Sequence, residues 1–267
     1  MKYLTLFVAI FQVTLLAYAD NVMAADIEPE VEACIRKNTP KVTLIEKIRL
    51  TSENRLFQEE QVLSAKVYWK HSSDGNSNIL TVFDEPDDIL GSRLLFLEKA
   101  PDNEIYLYMP ALFKVRRIST NSFSSSMYGM DFSYEDFQLM YNMMSTADID
   151  QHPDKTVDGK DMYVFAITPA QSDKSLYEMI YSYFDKKSCV IQKVEFYEKG
   201  KKLRKVLDTV DDSIKVVDGI LVPHKYMMHD LEEESETELT VVSVSIDKPV
   251  KDDLFDPALL KEHRDIF

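Results

Sequence analysis

Five histidines (His71, His152, His224, His229 and His263) and two cysteines (Cys34 and Cys189) are the side chains from which a metal site or a nucleophile–base pair would be built. Only His224 and His229 lie close, and a spacing of five puts them on neither one helix face nor one strand face. No Gly-x-Ser-x-Gly elbow, His-Glu-x-x-His pair or glycine-rich phosphate loop is present. Acidic runs at Asp84-Glu85, Asp87-Asp88, Asp211-Asp212 and from Glu232 to Glu236 do not follow the ligand spacing of a calcium loop, so they read as solvated turns. Paired carboxylates could serve a glycosidase, but a chain with 46 acidic residues singles out no pair. No catalytic residue, metal ligand or cofactor is expected; a lipid- or glycan-modifying enzyme is the weakest reading.

The sequence offers apolar surface instead. From Gly91 to Phe137 it runs through GSRLLFLEK and EIYLYMPALFKVRRIS into SSSMYGMDFSYEDF. Three strand-like runs thus lead into a Met- and aromatic-rich segment and then a helix start. Ser133 is a good N-cap, and Glu135 and Asp136 suit the first turn of a helix. Phe137, Met140, Tyr141 and Met144 follow at helical spacing. Met-rich surfaces adapt to varied apolar partners, and the neighbouring Ser124-Ser125-Ser126 and Gly129 suit a movable cover. The expected ligand-binding residues are Tyr106, Tyr108, Met109 and Phe113 on the strands. Met127, Met130, Phe132, Tyr134, Phe137 and Met140 join them on the cover. The alternative is that this stripe only packs a core. Arg116 and Arg117 are adjacent on a strand and point to opposite faces, so one can reach a cavity rim and meet a carbonyl or phosphate; two solvated arginines paired with local acids is the competing reading.

The elements that must position these residues are mostly strands. Residues 1–24 read as a secretory signal peptide: Lys2, an apolar run from Tyr3 to Ala19, and small-residue cleavage sites near Ala19 or Ala24. The remainder, 25–267, is expected to be one domain exported to the periplasm. A net charge of −15 argues against nucleic acid and against anionic lipid headgroups. Asp26 to Asn38 reads as a helix with Val31, Cys34 and Ile35 on one stripe. From Val42 the period changes to two, and Gln61–Lys70 with Asn78–Asp84 reads as a hairpin. Asp158-Gly159, Lys199-Gly200 and Asp218-Gly219 punctuate later strands at spacings too short for helical crossovers. The expectation is a mainly β fold, a curled antiparallel meander of about ten or eleven strands, because a sheet that long cannot stay flat. In Ser175–Phe184, Tyr177, Met179, Tyr181 and Tyr183 are assigned to one face and Leu176, Ile180 and Phe184 to the other. Export favours a Cys34–Cys189 disulfide tying the first helix to a central strand, with two buried free thiols as the alternative.

Several blocks resemble the LolA-like family of outer-membrane lipoprotein-sorting proteins. They are Gly91–Phe96, Tyr106–Pro110, Arg116–Ser119 and Gly129–Asp136, with weaker likeness from Tyr163 to Pro169, Asp185 to Tyr197, Val217 to Pro223 and Thr237 to Phe255. The resemblance implies a strongly curved antiparallel sheet forming an incomplete barrel, covered by a few short helices. It also implies a periplasmic carrier or chaperone whose hydrophobic cavity holds the acyl chains of a lipoprotein or other lipid for transfer between membranes. The branch is linked with RND/MMPL-type inner-membrane transporters and an outer-membrane acceptor, so a non-enzymatic accessory subunit of such an exporter is the alternative. Two departures stand out: Tyr183-Phe184-Asp185-Lys186 where relatives carry Trp before Asp-Lys, and Ser126-Met127-Tyr128-Gly129 where they have Phe-Met-Gly. No counterpart of the lid-latching arginine of the housekeeping carrier is found.

Overall fold

The computed structural model describes residues 27–54, 59–72, 75–99, 103–141, 143, 147–170 and 175–262. The expected leader, 1–24, and Met144 lie outside these. Helix α1, Pro29–Arg36, has Pro in its first turn, Glu30 and Glu32 near its N-terminus and Arg36 at its end. That order of charges complements the helix dipole. It is shorter than expected because Asn38 is already turned to other work. Its Nδ2 donates to the Ser188 carbonyl (2.9 Å) and its Oδ1 accepts from the Leu221 N–H (2.9 Å). Among the described residues, no helix is long and apolar enough to cross a membrane.

Among the described residues, thirteen strands form one antiparallel sheet in the order β6-β5-β4-β3-β2-β1-β15-β14-β11-β10-β9-β8-β7. The strands are β1 (Thr43–Asn54), β2 (Glu59–His71), β3 (Ser77–Glu85), β4 (Arg93–Leu97), β5 (Glu104–Met109), β6 (Lys114–Ile118), β7 (Asp148–Val157), β8 (Lys160–Thr168), β9 (Tyr177–Asp185), β10 (Ile191–Glu198), β11 (Lys202–Thr209), β14 (Lys225–Asp230) and β15 (Ser235–Ile246). A separate hairpin is made by β12 (Ile214–Val217) and β13 (Ile220–Pro223). The count exceeds the expected ten or eleven, and β7 starts well before the run expected ahead of the Asp158-Gly159 turn. Most of that strand is polar and half- or fully exposed, so it carries no apolar alternation to read. At the Asp158-Gly159 turn both residues have positive φ (50° and 78°), the geometry of a tight two-residue hairpin.

The two halves of the chain meet where β1 pairs β15, at mid-sheet. The edges are β6 and β7, and residues 119–141 run back through the hollow between them with helix α2, Tyr134–Met140. Two neighbouring residues of α2 reveal how far the sheet curls. Phe137 stacks on Phe96 of β4, with ring centroids 6.4 Å apart, while the carboxylate of Asp136 accepts from Tyr177 of β9 at 2.7 Å. In a flat sheet those strands, eight places apart, would be separated by about 38 Å. Only an incomplete barrel brings them to one helical turn.

Inside the curl, one apolar cluster links α1, α2 and strands from both halves. On the outside, Tyr68, Leu80, Leu95, Leu97 and Tyr108 are covered by Val250, Leu254, Phe255 and Leu260 of the C-terminal segment. In β9 the expected face assignment is corrected. Tyr177 joins Ile180 and Phe184 on the inside, whereas Tyr181 and Tyr183 pack outside. A register shift against β10 between Tyr197 and Glu198 inserts the extra residue that turns Tyr177 inward. The edges carry charges: Lys114, Arg116 and Arg117 on β6; Asp148, Asp150 and Asp154 on β7, which also contains Pro153 and a register shift between His152 and Lys155.

Cys34 and Cys189 form a disulfide with Cα atoms 5.2 Å apart. Cys189 sits in the turn before β10, at positive φ (62°), and not within a central strand as expected. The bond closes a separation of 155 residues, for which loop entropy gives about 5 kcal/mol and measured disulfides of this kind give 2–5 kcal/mol. Replacing both cysteines with alanine is expected to lower unfolding free energy by about 2–5 kcal/mol in urea titration; a change below about 0.5 kcal/mol would show that the crosslink adds nothing to the folded ensemble.

Candidate functional site: the interior of the half-barrel and the helix that fills it

The interior is occupied by the chain's own greasy segment. Phe123, Met127, Met130, Phe132, Phe137, Leu139, Met140, Tyr141 and Met143 are all buried against the inner sheet face. This segment turns sharply at Tyr128 and Gly129, both at positive φ (52° and 78°). A Cβ on Gly129 would stand 2.9 Å from Oε1 of Gln61, the movable end of an exposed side chain, so it is the positive φ that favours glycine here.

Helix α2 begins with a full capping box. The Asp136 N–H donates to Ser133 Oγ (3.0 Å) and the Ser133 N–H donates back to Asp136 Oδ2 (2.8 Å). The same carboxylate ties the helix to the sheet. Tyr177 donates its hydroxyl to Oδ1 at 2.7 Å, and Lys205 of β11 places its Nζ 2.9 Å from Oδ2 and 2.7 Å from the Asp131 carbonyl. Lys205 and Asp136 are both buried, so this is an ion pair removed from water. Asp131 adds a further tie: Thr237 of β15 donates to its Oδ2 at 2.6 Å, and its own N–H donates to Thr237 Oγ1 at 3.1 Å. Glu135 accepts from the Ser175 hydroxyl and from the Leu176 N–H (3.2 Å); burial nonetheless pushes its carboxyl up to about 7. The Asp131–Asp136 block is therefore the latch of the segment.

At the other end of α2, Tyr141 donates its hydroxyl to Glu46 Oε2 at 3.1 Å. Glu46, on the inner face of β1 between Leu44 and Ile48, is 1% exposed. Burial pushes its carboxyl up to about 8, the Tyr141 bond opposing this only in part. Burial, then the Glu46 charge, raises Tyr141 and Tyr226 well above the ordinary tyrosine range.

The expected site residues fall into three groups. Met127, Met130, Phe132, Phe137 and Met140 come together in the interior, all at 3% exposure or less; Tyr134 is half-buried and packs against them. Tyr106 and Tyr108 lie on the opposite, outer face of β5 under the C-terminal segment, so the structure does not bring them to that interior. Met109 is half-buried at the end of β5, and Phe113 is 77% exposed at the tip before β6. Arg117 faces outward and pairs with Glu104 (3.2 Å). Arg116 opposes Leu107 and stands at the inner-face rim on the sheet edge. Two cavities lined by described residues open elsewhere: one of 710 Å³ beside Thr168, Ser175 and Lys199, and one of 340 Å³ on the outer face among Tyr181, Tyr183 and Tyr197. Sequence reasoning missed Lys205 and Glu46. Lys205 sits in a lysine-rich strand and carries no signal, but Glu46 shares the parity of Leu44 and Ile48, which marked it as inward-facing.

Proteins of known structure share this fold. A family model described only as "Uncharacterized protein" matches residues 75–262. The structure is similar to a DUF1329 family protein from Desulfovibrio piger, with TM-score 0.77 and 24% identity over 88% of this chain and 99% of that one. It is similar to a domain from Vibrio parahaemolyticus described as an outer membrane lipoprotein-sorting protein (TM-score 0.76, 23% identity, 87% and 97% covered). A LolA superfamily protein from Nitrosomonas europaea follows, with TM-score 0.68, 17% identity, and 85% and 96% covered. No curated protein matches the chain. The chain belongs to the family of that model, and its fold is LolA-like.

Two outcomes test the site's energetics. Lys205→Met strands a buried carboxylate and is expected to cost about 3–5 kcal/mol in urea unfolding, whereas adding Asp136→Asn recovers part of the loss. A single-variant cost below about 1 kcal/mol would remove the pair as the latch. Because folded Glu46 titrates near 8 and not near 4.5, the stability it allows is complete below about pH 4.5 and declines as pH rises to about 8. Glu46→Gln abolishes this titration. Its stability relative to wild type should rise between pH 5 and 8, by at most about 1.4 kcal/mol per pH unit; parallel pH profiles would contradict the assignment.

Proposed function

We propose that the protein is a non-enzymatic periplasmic carrier or chaperone that shields the acyl chains of a lipoprotein or other lipid during transfer between membranes. One observation carries the reading: most of the cover over the apolar inner face is a Met- and Phe-rich segment held at a polar latch, with α1 and the β12–β13 hairpin adding Val31, Ile35 and Val222. A bound chain would take over the contacts that Met127, Met130, Phe132, Phe137 and Met140 make now. Burial of methylene groups is worth about 0.8 kcal/mol each, so a chain of about 14 carbons supplies roughly 11 kcal/mol of gross driving force. That exceeds the few kcal/mol expected of the latch. The name of the Vibrio parahaemolyticus domain, outer membrane lipoprotein-sorting, accords with such cargo. A leader over 1–24 would deliver the chain to the periplasm, where Arg116 at the rim can meet a headgroup carbonyl or phosphate.

The near-complete burial of those same side chains also supports a second reading. The protein would then be an accessory subunit of an RND/MMPL-type exporter, its interior filled permanently by its own chain. Lipid mass spectrometry on extracts of the purified protein, with uptake of a fluorescent fatty acid, separates the two. The carrier retains lipid or takes up the probe, and Met130→Asp and Phe137→Asp each weaken uptake at least tenfold in folded protein. Repeated absence of lipid and of uptake, together with an exporter complex that survives both substitutions, would establish the accessory role and end the carrier reading.

A further inference from the structure

We propose that Glu46 and Thr81 form a polar station within the apolar interior, selecting hydrophobic ligands that carry a hydroxyl or amide group in or on the hydrocarbon. The inference rests on the carrier reading and narrows its ligand class. Antiparallel pairing places Glu46 opposite Val67, and Val67 opposite Thr81. Paired residues share a sheet face, so Glu46, Val67 and Thr81 form one row on the inner face, about 10 Å from end to end. The row continues through Leu94 and Leu107 to Arg116 at the open edge. Along this row, the side chains between Thr81 and the rim are aliphatic.

Both polar side chains are under-satisfied. Thr81 is fully buried and its hydroxyl has no hydrogen-bond partner among the described residues; Glu46 Oε1 is buried and equally unpartnered. Buried polar groups are normally hydrogen-bonded, and an orphan costs folding energy that an apolar side chain of similar shape would not. A fold serving only to pack hydrocarbon has no use for them there. Among the described residues, the hydrogen bond that Glu46 does receive comes from Tyr141, at the end of the segment that a ligand must displace. The segment thus brings its own hydroxyl donor to Glu46. A ligand that takes its place has to bring another or leave the carboxyl bare. A plain alkyl chain cannot; a chain with a hydroxyl or an amide N–H can, and the Thr81 hydroxyl is free to donate to the oxygen of either.

The test measures displacement of a bound apolar fluorophore, N-phenyl-1-naphthylamine, by cyclodextrin-delivered hexadecan-1-ol, hexadecanamide and hexadecane. Full-length mature wild type is expected to respond to the alcohol or amide at concentrations at least tenfold below those of hexadecane. In Glu46→Leu that ratio should fall below threefold and in Thr81→Val it should shrink, while Glu46→Gln, which still hydrogen-bonds, should keep most of it. Wild type that is displaced by hexadecane as readily as by the polar chains would overturn the station and leave the carrier reading standing. So would a preference untouched in both Glu46→Leu and Thr81→Val. Failure of wild type to bind the fluorophore or any of the three chains would defeat both.

Discussion

The carboxylate of Asp136 is the point on which the arrangement turns. It accepts from the backbone of Ser133, from the Tyr177 hydroxyl and from the Lys205 ammonium, and so joins helix α2 to strands β9 and β11 in one buried node. An ion pair taken out of water recovers its desolvation cost only when the remaining lone pairs and protons are used. Here three donors converge on two oxygens, and Lys205 spends a second proton on the Asp131 carbonyl. The node is satisfied while α2 is seated. Pulling the segment away would leave Lys205 in an apolar wall with nothing to neutralise it. The same group therefore holds the segment in place and sets the cost of moving it.

The contrast with the surface pairs is instructive. Lys202–Glu232 and Lys47–Asp84 are solvent-facing and contribute little, whereas the interior contacts are few and each is costly to lose. Polar groups occur inside at both ends of α2: Asp136 with Lys205 at its start, and Glu46 with Tyr141 at its finish. Between them Phe137 lies flat on Phe96, with the buried amide of Gln138 beside it.

Much of this was legible in the residues. The period-two runs, the glycine turns, the Ser133 cap and the resemblance of Gly91–Phe96 and Gly129–Asp136 led to a curled antiparallel sheet with a short covering helix. Three things were not legible, for physical reasons. Strand β7 is mostly polar and half- or fully exposed, so its side chains give no apolar alternation. Tyr177 turns inward because of a bulge, and one inserted residue reverses every parity argument beyond it. Tyr106 and Tyr108 alternate as an inner face would, but the outer face of β5 is equally apolar under Leu254 and Phe255, and alternation cannot say which of two covered faces is which. Lys205 was invisible because its partner lies 69 positions away.

An unclosed sheet has two rims where another chain could add a strand, and here they are unlike. One is a basic ribbon, Lys114, Arg116 and Arg117; the other is acidic and broken by Pro153 within a bulge. Opposite signs would draw two molecules together rim to rim. The proline offers no N–H at that point, and the bulge throws the remaining ladder out of step. Such a rim is a poor template for strand addition, so the acidic edge works against the rim-to-rim growth that the opposite charges invite.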